Sequence, residues 1–66
     1  MSAEYDAGTS AGRLWMIELL KRHDEFEARA LSEEEKFKRA AAHGSRLSIL
    51  DDGFFVGAEE ALTGLA

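Results

Sequence analysis

The chain has 66 residues and no cysteine, and that combination most limits what it can fold into. A domain this short buries only about 60% of the surface its unfolded chain exposes. One core of that size supplies roughly 3–5 kcal/mol of net stability. Without cysteine there is no disulfide to add, no thiolate zinc site, no thiol nucleophile and no redox pair. What remains is a well-packed helical core, self-association, or a partner that completes the fold. The same limit argues against an enzyme, which needs a cleft and a scaffold around it. No catalytic residue, cofactor or metal site is therefore expected.

Charge narrows the partners. Eight Lys and Arg stand against 13 Asp and Glu, for a net charge of −5. A surface that holds nucleic acid by phosphate attraction is basic, so this balance argues against nucleic acid. The charge is also uneven. Residues 10–46 carry every base and sum to +1, residues 1–9 sum to −2, and residues 47–66 sum to −4 with no base at all. Such an acidic end suits a partner with a basic or mixed surface. Targeting signals are not visible. Met1 to Asp6 is acidic with no apolar stretch after it. The longest apolar run, Leu14-Trp15-Met16-Ile17, falls far short of the ~20 residues that span a bilayer. A cytoplasmic location without membrane contact is the expectation.

Periodicity predicts a mainly α-helical fold, with a small α+β fold as the variant. Residues 1–9 lack a repeating apolar face and read as a flexible arm before a single domain over 10–66. Residues 11–31 read as the main helix, capped by Thr9 or Ser10. At about 100° per residue, Trp15, Met16, Leu19, Leu20, His23, Phe26 and Ala30 share one arc. Glu25 and Arg29 form one of its (i, i+4) charge pairs. Ser32 and Glu35 have the spacing of a capping box, which starts a second helix over 33–43 with a narrow stripe of Phe37, Ala40 and Ala41. Gly44 is placed to end it.

The remainder is ambiguous. Leu47 and Ile49 alternate with polar residues, Asp51-Asp52-Gly53 suits a hairpin loop, and Phe54-Phe55-Val56 favours strand. A β-hairpin over 45–57 is the expectation, with a short helix from Ser45 to Leu50 as its rival. A last short helix over 58–63 ends at Gly64. The expected architecture is thus a helical hairpin, a β-hairpin or turn, and a C-terminal helix. Phe54, Phe55, Val56, Leu62 and Leu65 would cover the first helix, and the six glycines read as punctuation.

Few residues carry chemistry. His23 and Glu27 are one helical turn apart, and His43 is the only other histidine. A metal site usually takes three or four ligands, so the bland reading of a polar boundary histidine is preferred. No nucleophile elbow, phosphate-binding loop or EF-hand spacing occurs. Ala40 to Gly44 followed by Arg46 has the outline of a helix-turn-helix, but its second helix would carry Asp51 and Asp52 toward phosphate.

The expectation that follows is a protein-binding regulator, an inhibitor or accessory factor that docks on a larger protein. In size and charge, though in no motif, the chain is similar to the accessory proteins of phages and plasmids as a class. Trp15, Phe54 and Phe55 would anchor the contact, since aromatic residues dominate binding hot spots. Asp51, Asp52, Glu59 and Glu60 would steer it. The alternatives are a subunit that associates with itself through the first helix and a small DNA-binding regulator over residues 33–52.

Overall fold

In the computed structural model, which describes residues 2–64, the chain folds into three helices: α1 (Ala3–Leu20), α2 (Glu25–Ala42) and α3 (Ile49–Thr63). No strand occurs among the described residues, so the expected β-hairpin over 45–57 is wrong. Leu65 lies outside the described residues.

Capping chemistry sets each boundary. Ser2 caps α1 by accepting a hydrogen bond from Tyr5 N at 3.3 Å, with Glu4 and Asp6 in the first turn. Acids there complement the positive end of the helix. Residues 3–9, expected as an arm, are therefore the first two turns of α1, and neither Thr9 nor Ser10 is its cap. Thr9 Oγ1 instead donates to the Tyr5 carbonyl.

The helix expected over 11–31 breaks at Lys21 to Asp24. Asp24 and Glu27 form a reciprocal capping box there: Glu27 N donates to Asp24 Oδ1 at 2.7 Å and Asp24 N donates to Glu27 Oε1. Ser32 and Glu35, the box expected from the sequence, lie inside the continuous α2. Ser48 caps α3 by accepting from Asp51 N, and Asp51 and Asp52 fill the first turn. The pair expected at a hairpin tip is an N-terminal helix signal. Gly64, at φ +78°, ends α3, and Gly44, at φ +69°, follows the cap of α2.

Four other glycines set the packing. Gly8 and Gly12 on α1 face the backbone carbonyls of Leu50 and Phe54 on α3. Gly53 and Gly57 on α3 face the carbonyls of Tyr5 and Thr9 on α1. A Cβ at Gly12 would stand 1.7 Å from the Phe54 oxygen, and one at Gly57 would stand 2.0 Å from the Thr9 oxygen. Any side chain at these four positions collides with backbone, which cannot swing aside. The pairing also fixes direction. Tyr5 meets Gly53, Thr9 meets Gly57 and Arg13 meets Glu60, so α1 and α3 run parallel. α2 is the antiparallel return between them.

This close approach explains why Phe54-Phe55-Val56 is helical despite its strand propensity. Tertiary packing overrides a preference worth at most ~1 kcal/mol. Met16, Ala58 and Leu62 form the core below the glycine crossing, flanked by Trp15, Leu19, Leu20 and Ala61. α2 contributes one buried residue, Ala28, and touches the other helices sparsely. The Cα framework measures 30 × 25 × 14 Å, a flattened shape.

Candidate interaction surface

The aromatic residues proposed as anchors meet inside the fold. Phe54 is buried, and Trp15 and Phe55 are half-buried. The Trp15 and Phe54 rings are 5.2 Å apart, Phe54 and Phe55 are 5.0 Å apart, and Trp15 meets Phe55 edge-on at 6.4 Å. The Arg39 guanidinium of α2 lies 4.0 Å over the Phe54 ring. Such tilted ring pairs and cation–π stacking reinforce area burial. Trp15, Phe54 and Phe55 thus tie the three helices together.

The acids of the last segment are mostly committed internally. Asp51 is only 6% exposed; Arg39 donates to its Oδ1 at 3.0 Å, and His43 Nε2 stands 3.9 Å from its Oδ2. Arg39 also donates to Glu35 at 3.0 Å. Glu60 accepts from Arg13 and Glu59 accepts from Arg29 at 3.4 Å. The bases that meet Asp51, Glu59 and Glu60 come from other helices. The −4 segment is therefore a receptor for the cations of α1 and α2, and among the described residues Asp52 is the one of the four acids without such a pairing.

The histidines are not assembled into a site. His23 lies in the turn after α1, 3.7 Å from Glu27, while His43 sits at the other end of α2. The pairing of His23 with Glu27 matches their sequence spacing, but His23 is not on the apolar arc of α1. Among the described residues no three His, Asp or Glu side chains gather as metal ligands. Arg46 lies in the loop before α3 and so does not open a helix. Among the described residues no helix is long and apolar enough to cross a membrane.

The residues that do face outward are Phe26 and Phe37. They are 82% and 81% exposed, the largest values among the large apolar side chains of the described residues. Both were expected in a core. At about 100° per residue, positions eleven apart differ by only ~20° on a helix, so the two rings share one face. Ala28, the buried residue of α2, is on the opposite side. Ala30, Glu33 and Ala40 lie between and beyond the rings on the outer face. Beside Phe37, the loop after α2 brings in Leu47 and leaves an open groove of about 450 Å³, lined also by Lys36, Ala40 and Ala41. Two signals locate this face in the sequence: the Asp24–Glu27 box, which starts α2 early, and the eleven-residue separation of the phenylalanines. No family model, curated protein or solved structure matches this chain.

Proposed function

We propose that this protein is a cytoplasmic interaction module without catalytic activity, a regulator or accessory factor that docks on protein through the outer face of α2. The observation that carries this reading is the exposure of Phe26 and Phe37 on one face of a helix whose other face already holds the fold. Isolated exposed apolar residues are ordinary, whereas two aromatics on one helix face, one of them lining an apolar groove, have the composition of a binding hot spot. The docking anchors therefore move from Trp15, Phe54 and Phe55 to Phe26 and Phe37. Asp52 is the acid of the last segment best placed to add steering.

The test is affinity capture with the wild-type protein and with a Phe26→Ser, Phe37→Ser double variant as baits. The wild type retains a protein that the double variant does not. Equal capture by both baits, or none by either, contradicts the proposal.

A further inference from the structure

We infer that the outer face of α2 takes a second copy of this chain, with the two α2 helices antiparallel about a two-fold axis. This rests on the docking reading above and names its occupant.

A two-fold contact must be complementary to itself, so one surface has to carry both halves of the match. The outer face of α2 does. Phe26 projects near its N-terminal end, and the groove beside Phe37, Ala40, Ala41 and Leu47 opens near its C-terminal end. The two features are about 16 Å apart along the axis, at 1.5 Å per residue. An antiparallel copy sets each Phe26 against the other copy's groove. A parallel copy would set Phe26 on Phe26 and leave both grooves empty.

Charge is complementary across the same two-fold. Glu25, Glu27 and Arg29 precede the midpoint between Phe26 and Phe37, and Glu33, Glu34, Lys36 and Lys38 follow it. With Phe26 level with Phe37 of the second copy, Glu27 comes within two residues of Lys38, which at about 100° per residue lies on the same flank of the helix. Glu33 comes level with Ala30, one residue from Arg29. A parallel copy would instead stack Glu33 on Glu33. Antiparallel packing also opposes the helix dipoles. Residues 26, 30, 33, 37 and 40 alternate four and three apart, the spacing of a helix–helix seam, and the alanines permit close approach.

Sedimentation equilibrium from ~1 μM to ~1 mM, the range that reports weak to moderate affinity, is the test. The wild type passes from monomer to dimer within it, and Phe26→Ser weakens the dimer at least ~10-fold, as loss of a hot-spot aromatic does. Two charge variants complete the experiment. One carries Glu27→Lys, and the other carries Lys36→Glu and Lys38→Glu. Each alone dimerises more weakly than the wild type, and equal amounts mixed form a heterodimer. All these positions are exposed, and circular dichroism checks that helicity is kept. A wild type that stays monomeric throughout, or charge variants that fail to pair when mixed, overturns the inference. If that wild type still captures protein in a phenylalanine-dependent way, docking stands and only the second copy falls. If it captures none, both fall.

Discussion

The seam between α1 and α3 and the seating of α2 are held by opposite means. Between α1 and α3, four glycines remove every side chain at the crossing, and the backbones touch. Each glycine in a helix costs about 1 kcal/mol relative to alanine, so four of them cost the helices ~4 kcal/mol before they pack. That is comparable to the whole stability of a domain this size. Such a sequence is tolerable only if close approach returns more than the propensity loses. α2 has strong capping and several charge pairs along its own length, including Lys38–Glu34 and Arg29–Glu25 at 4.0 Å. It buries only Ala28 and reaches its neighbours through Arg29 and Arg39. One seam is a fixed steric fit. The other is a well-capped helix held by long polar side chains, with its aromatic face turned outward. A small protein can present an apolar face in this way without sacrificing its core.

The largest expected effect breaks the first seam. Gly12→Ala or Gly57→Ala drives a methyl into the Phe54 or Thr9 carbonyl. The cost is about 3 kcal/mol or more, the upper end of overpacking, despite the gain in helix propensity. Thermal unfolding followed by circular dichroism should show either variant with little of its stability left and a melting transition well below that of the wild type.

Next is the polar tie of α2. Arg39→Met leaves Asp51 buried without its guanidinium and removes the stacking on Phe54. The loss is about 3 kcal/mol, the low end for breaking a buried pair. It should appear as faster amide exchange in α2 than in α1 and α3.

A far smaller effect on stability is expected from Phe26→Ser or Phe37→Ser. Both side chains are more than four-fifths exposed, so denaturant midpoints at low protein concentration should shift by less than about 0.5 kcal/mol. A large loss would place these rings in the core and end the contrast.

The smallest effect lies at the end of α1. Lys21 Nζ donates to Glu18 at 2.9 Å, and this hydrogen bond with the lysine charge holds the Glu18 carboxyl below the ordinary carboxylate range. The pair stabilises the fold above the unfolded-state pKa of Glu18, and its contribution is lost as pH falls through the lowered value. In Lys21→Met, an NMR titration should show the Glu18 pKa raised toward the ordinary range.

Signals that act within one turn were legible in the sequence. Gly44 and Gly64 sit at positive φ after α2 and α3, as their positions implied. Trp15, Met16, Leu19 and Leu20 face inward on α1. Glu25 and Arg29 pair across one turn.

What failed depended on distant partners. Phe54-Phe55-Val56 has strand propensity, and only the fit of Gly53 and Gly57 against Tyr5 and Thr9 makes it helical. With that segment read as a strand, the matching four-residue spacings of Gly8–Gly12 and Gly53–Gly57 could not be seen as two halves of one contact. The acids of residues 47–66 looked like an outward face because Arg13, Arg29 and Arg39, which meet three of them, come from elsewhere in the chain. Phe26 was assigned to α1 because the Asp24–Glu27 box competes with an unbroken apolar arc, and the box wins. That one boundary moves Phe26 from an expected core to the candidate interface.

The contrast between a locked α1–α3 pair and a docking α2 is tested most directly by hydrogen–deuterium exchange at low and high protein concentration. Amides of α1 and α3 around the glycine crossing should be the most protected and should not change with concentration. Amides of α2 should exchange faster in dilute solution and gain protection as concentration rises. Equal protection of all three helices, unchanged by concentration, would contradict the account.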